Sequence, residues 1–187
     1  MQKRRIFIAI NLPENIKKRL ADYQNKWPEL PARWTKEANI HITLEFLGYI
    51  TDEELLEVSD IVKAVAENNS SFLIDLTNIC YGPLHHKDAG QAPRMVWIIG
   101  EKSEELNYLK NDLSEKLGTL KIRQFIPHIT LARINKWNWQ RIEPEERPEI
   151  NEDINLSFEV NSVEIMESVL KRGGPEYSIL QSFNLKQ

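Results

Sequence analysis

The tetrapeptide His-Ile-Thr-Leu occurs at positions 41–44 and again at 128–131, and this repeat is the strongest constraint the chain carries. Each copy reads as a β-strand. Gly48 closes the first copy and Pro127 precedes the second. Along a strand, residues i and i+2 share a face. His41 and Thr43 therefore project together, as do His128 and Thr130, while Ile42, Leu44, Ile129 and Leu131 turn toward a core. Packing requires only the apolar half of that pattern. It gives no reason for an imidazole and a hydroxyl to recur at matching places 87 residues apart. The repeat predicts two pseudo-symmetric lobes, each lending one copy to a shared centre.

The flanking sequence supplies strands and helices to both lobes. Arg5 to Ile10 reads as a strand, and Pro13 opens a helix that carries Ile16, Leu20 and Tyr23 toward Trp27. Thr51 and Glu54 have the spacing of a capping box, ahead of a helical face made by Leu55, Val58, Ile61, Val62 and Val65. Phe72 to Tyr81 alternates as a strand. The polar stretch GPLHHKDAGQAP predicts a long exposed loop, and Arg94 to Ile99 another strand. Ser103 caps a helix bearing Leu106, Leu109, Leu113 and Leu117, stopped by Gly118. NWQRIEPEERPEI predicts a short helical turn and a solvated acidic loop. Leu156 to Leu170 reads as one long strand, with Tyr177 to Leu185 pairing against it across the RGGPE turn. The expected fold is α+β: a single bilobal domain over residues 1–187, with two antiparallel or mixed sheets around a central cleft and helices outside.

Composition limits the partners. With 187 residues, 41% of them hydrophobic, the chain can bury a sizeable core. Its net charge of −4 disfavours a coat protein for long nucleic acid and tolerates a local phosphate pocket. The apolar run near the amino terminus spans only Ile6 to Ile10, too short for a secretory core or a membrane span. A soluble, cytoplasmic monomer with no membrane partner is expected. Cys80, alone in the run FLIDLTNICY, reads as a buried thiol.

Two imidazoles facing one centre can divide acid and base work at neutral pH, because a pKa near ~6.5 suits either part. The threonine hydroxyls can donate to phosphate oxygens, and Arg133, five residues after His128, can offset their charge. Metal binding is the weaker reading of the two histidines. Neither has a second histidine or a carboxylate at ligand spacing.

At these residues the chain resembles the 2H phosphoesterase superfamily, and within it the RNA 2′,3′-cyclic phosphodiesterases once called 2′-5′ RNA ligases. RIFIAINLPENIKKRL, ANIHITLEFLG, RMVWIIG, FIPHITLAR and VEIMESVLKRGGPEYSIL are similar to segments of that family, so the likeness spans nearly the whole chain. It implies a bilobal fold with a water-filled cleft, no metal or cofactor requirement, and RNA ends or nucleotide 2′,3′-cyclic phosphates as substrates. It also implies His41 as proton donor to the departing 3′ oxygen, His128 as base, a 2′-phosphate product, and Thr43, Thr130 and Arg133 as phosphate contacts. Relatives often carry a basic residue just before the Pro-His of the second motif. Ile126 stands there in this chain, with Arg123 nearby as a substitute.

Three readings stay open from sequence: hydrolysis of RNA 2′,3′-cyclic phosphates; action on another substrate of the superfamily, such as an ADP-ribose cyclic phosphate or a 2′-5′ linkage, including reversible ligation; and a module that binds nucleotides or RNA ends without catalysis. Trp34, Trp97, Trp137 and Trp139 are candidates for stacking on bases, as are Phe7 and Phe46 near the cleft strands. His85 and His86 read as solvated loop residues, and Lys171 and Arg172 as surface charge in a turn.

Overall fold

A computed structural model describes residues 3–83, 92–119 and 125–187. Among these residues nine strands form one sheet: β1 (Arg4–Asn11), β2 (Ala32–Trp34), β3 (His41–Ile50), β4 (Phe72–Gly82), β5 (Met95–Gly100), β6 (His128–Ile134), β7 (Asn151–Val160), β8 (Ser162–Lys171) and β9 (Gly174–Asn184). The order across the sheet is β7-β4-β5-β6-β3-β1-β8-β9, with β2 added against β6, and these strands pair antiparallel. The two expected sheets are thus two halves, one of five strands (β7, β4, β5, β6 and β2) and one of four (β3, β1, β8 and β9), joined where Ile42 of β3 meets Ile129 of β6. Each His-x-Thr strand is the inner edge of its own half.

Four helices accompany the strands among the described residues: α1 (Glu14–Asp22), α2 (Asp52–Ala66), α3 (Glu104–Lys116) and the short α4 (Lys136–Trp139). Their ends follow the local signals. Pro13 is the N-cap of α1. Thr51 and Glu54 form the reciprocal capping box of α2, and the Ser103 hydroxyl accepts from the Leu106 amide at the start of α3. Past α3, Gly118 takes φ +66°, a left-handed value that glycine reaches without steric cost. No helix among the described residues is long and apolar enough to cross a membrane.

Strand β1 is buried on both faces, and its alternation separates two cores. Ile6, Ile8 and Ile10 enter the main core with Ile42, Ile98, Ile129, Leu109 and Leu113. Each such side chain, fully buried, contributes about 1.5–3 kcal/mol. Phe7 and Ala9 point the other way and form a small cluster with Met166 and Tyr177 beneath the first histidine. One expectation is corrected: Leu156 to Leu170 is two strands. β7 ends at Val160, pairs with β4 and forms one edge of the sheet, whereas β8 starts at Ser162 and pairs with β1 in the other half. The turn at Asn161 carries the chain between halves because Leu156, Phe158 and Val160 bury even positions, and Val163 and Ile165 bury odd ones.

Candidate active site

The inward phase of the isoleucines fixes the outward phase of the histidines. Ile42 and Ile129 are almost wholly enclosed, 2% and 0% exposed, so their neighbours at i±1 face the opposite side of the sheet. That side opens into a cleft of about 1440 Å³ lined by His41, Thr43, His128, Thr130 and Arg133 together. Because β3 and β6 run antiparallel through Ile42 and Ile129, one step along each strand carries His41 toward Thr130 and Thr43 toward His128.

Each histidine is oriented by the carbonyl two residues before it. His41 Nδ1 donates to Asn39 O at 2.7 Å, and His128 Nδ1 donates to Ile126 O at 2.8 Å. A carbonyl can only accept, so both rings carry their proton on Nδ1 and keep a lone pair on Nε2 when neutral. The His41 Nε2 accepts from the Thr43 hydroxyl at 2.8 Å.

Aromatic rings hold both imidazoles in place. His41 lies 5.0 Å from Phe7 and edge-on to Tyr177 at 5.2 Å. His128 stacks on Trp97, with centroids 3.8 Å apart and planes 22° from parallel. Burial lowers the His41 pKa to about 4, helped by the charges of His128 and Lys17 and opposed by the Asn39 hydrogen bond. Burial also lowers that of His128, with Arg133 adding to the effect and the Ile126 bond opposing it. Both shifts favour the neutral ring; the charge of His128 acts on His41, and that of Arg133 on His128.

The other candidates divide. Trp97 and Phe46 line the cleft, Phe46 as an exposed rim residue, while Trp34 lines it and stacks on Trp27. Phe7 is a buried support beneath His41. Trp139 is core, and Trp137 is 81% exposed. Lys171 pairs with Glu176 on the β8–β9 hairpin. The Cys80 thiol is half-buried, and burial raises its pKa, the opposite of an activated nucleophile. His85, His86 and Arg123 lie outside the described residues. Among the described residues, no group of three or more His, Cys, Asp and Glu side chains converges as a metal site would.

Sequence reading missed Asn39, which is 8% exposed. Its carbonyl orients His41, its amide nitrogen donates to Pro175 O at 2.8 Å, and its amide oxygen accepts from the Tyr177 amide at 3.3 Å. It also missed the ion pair of Glu45 and Lys110 (2.5 Å) on the α3 wall of the cleft, and the segment after β2. In that segment the Thr35 hydroxyl donates to Thr130 O at 2.8 Å. The spacing of Asn39 and Ile126, each two residues before its histidine, was the available signal for the orienting carbonyls.

A profile described as LigT-like phosphoesterase matches residues 10–87 and 96–177. An RNA 2′,3′-cyclic phosphodiesterase of Methanocaldococcus jannaschii is 28% identical over 183 residues, covering 96% of this chain and 99% of the relative. A namesake of Thermotoga maritima is 28% identical, covering 94% and 92%. Among solved structures, a Thermus thermophilus protein superposes with a TM-score of 0.81 at 26% identity, covering 97% of this chain and 98% of its own. Escherichia coli LigT complexed with 3′-AMP superposes with a TM-score of 0.76 at 26% identity over 99% of each chain. The profile match extends over most of the sequence and takes in both His-x-Thr strands: the chain belongs to the LigT-like phosphoesterase family.

Proposed function

We propose that this protein hydrolyses 2′,3′-cyclic phosphodiester ends of RNA to 2′-phosphates, without a metal, and that residues 1–187 work as one bilobal domain. The observation that carries the reading is the pair of His-x-Thr strands set about Ile42 and Ile129, with both histidines in the same Nδ1–H state. The relatives named RNA 2′,3′-cyclic phosphodiesterase and the LigT complex with 3′-AMP support the substrate class.

In this reading the cyclic phosphate lies between the two imidazoles. His128, neutral because burial and Arg133 disfavour its charged form, takes a proton from water on Nε2 as the water oxygen bonds to phosphorus. His41 gives its Nε2 proton to the departing 3′ oxygen as the P–O3′ bond breaks. A desolvated imidazolium is a strong acid, which suits donation to an alkoxide. The anionic substrate raises the His41 pKa and so loads the proton. Thr43 and Thr130 donate to the non-bridging oxygens, and Arg133 offsets their charge. Turnover leaves His128 protonated and His41 neutral, and exchange with solvent resets both.

The test is hydrolysis of a nucleoside 2′,3′-cyclic phosphate by EDTA-treated protein. Full activity of the wild type and its loss in His41→Ala and His128→Ala are expected. Unimpaired activity in either variant would overturn the mechanism.

A further inference from the structure

We infer that Arg33 forms a second phosphate subsite beside the reaction centre, which receives the 5′ phosphate of the nucleotide carrying the cyclic end. The inference rests on the proposed reaction and adds to it. Arg33 on β2 is paired directly opposite Arg133 on β6, and Met95 on β5 opposes Arg133 from the other side. Directly opposed residues of antiparallel strands share a face, and all three line the cleft. Like charges facing each other across two strands are unfavourable unless an anion lies between or above them. Among the described residues neither arginine belongs to an ion pair.

The two guanidinium groups have different surroundings. Arg133 reaches Met95 Sδ at 3.5 Å, and its charge acts on His128. Arg33 sits one strand further out, beside the β8–β9 hairpin, where a Cβ on Gly174 would lie 3.6 Å from its Nη1. A bound cyclic nucleotide has its reacting phosphate at the histidines, within reach of Arg133. Its next phosphate, across the ribose, then meets Arg33. Among the described residues around the cleft, five cations (Arg33, Lys36, Lys102, Lys110, Arg133) face two carboxylates, and one of these, Glu45, pairs with Lys110. A protein of net charge −4 thus presents a cationic groove to an anionic chain.

Calorimetric titration with adenosine 2′-monophosphate and adenosine 2′,5′-bisphosphate tests this without requiring turnover. The wild type is expected to bind the bisphosphate about tenfold more tightly, the gain of one charge-assisted contact. Arg33→Gln brings the two affinities within about threefold, Arg33→Lys restores part of the preference, and Lys63→Gln, a change of equal charge on α2, keeps it. Equal affinities in the wild type, or a full preference retained by Arg33→Gln, would overturn the subsite. Failure of the wild type to open cyclic phosphates would instead remove the proposed reaction, and the affinity ratio would still decide on Arg33.

Discussion

Ile42 of β3 pairs with Ile129 of β6, and this contact sets the two His-x-Thr strands about a local two-fold axis. Both side chains enter one core while the residues flanking them face one cleft. A shift of one position in either strand would send its histidine into the core. Ile129→Val removes one methylene from a closed site and is expected to cost about 0.5–1.5 kcal/mol, against about 2–5 kcal/mol for Ile129→Ala. Urea denaturation measures both. The alanine variant should also lose turnover while still folded, because the seam that aligns the two imidazoles has loosened.

The depressed pKa of His41 makes stability depend on pH. The folded value, about 4, lies below the ordinary value near 6.5, so the unfolded chain takes up the proton first as pH falls. This contribution is complete above pH 6.5 and declines between 6.5 and 4, by about 1.4 kcal/mol per pH unit. His41→Gln should flatten that part of the stability curve relative to the wild type. Parallel curves for the two proteins would contradict the burial of a neutral imidazole. Imidazole NMR should also show the Nδ1–H tautomer at pH 7, and inorganic phosphate should raise the His41 pKa.

Trp97 is the platform of His128, and Gly82 makes room for it. A Cβ at Gly82 would stand 2.2 Å from the indole Cδ2. Gly82→Ala must therefore displace the ring, at about 1–3 kcal/mol, and lower kcat by tilting His128. Among the described residues the buried Trp97 Nε1 has no hydrogen-bond partner. Trp97→Phe keeps a ring under the imidazole. It should retain more activity than Trp97→Ala, and comparison of kcat with thermal stability separates the two variants.

Asn39 ties the β8–β9 hairpin to His41 through two side-chain bonds. Asn39→Ala leaves Pro175 O and the Tyr177 amide unpaired, a loss of about 1–3 kcal/mol. Hydrogen exchange at Tyr177 should speed up, and kcat should fall as the Tyr177 ring loosens from the His41 edge.

The elements with strong local causes were legible from sequence: the strands of the repeat, the α2 capping box, the Ser103 cap and the glycine stop after α3. The phase of HITL also placed His41, Thr43, His128 and Thr130 on one face. Two kinds of feature were not legible. The break at Asn161 depends on a one-residue change of apolar phase, hidden because Glu164 and Met166 are buried as well. Arg33, Asn39 and Trp97 take their roles from partners far along the chain, at Arg133, Tyr177 and His128. Nothing local marks such residues. The three-residue strand β2 is visible only once β6 is there to pair with it.

In the proposed reaction His128 activates water while His41 protonates the 3′ oxygen of a cyclic end. Identification of the product from an oligoribonucleotide with a 2′,3′-cyclic phosphate, in EDTA, decides whether they divide the work in this way. A terminal 2′-phosphate is expected from the wild type, with His41→Ala and His128→Ala slower by about 10²-fold or more. A terminal 3′-phosphate, or wild-type rates in either variant, would contradict it.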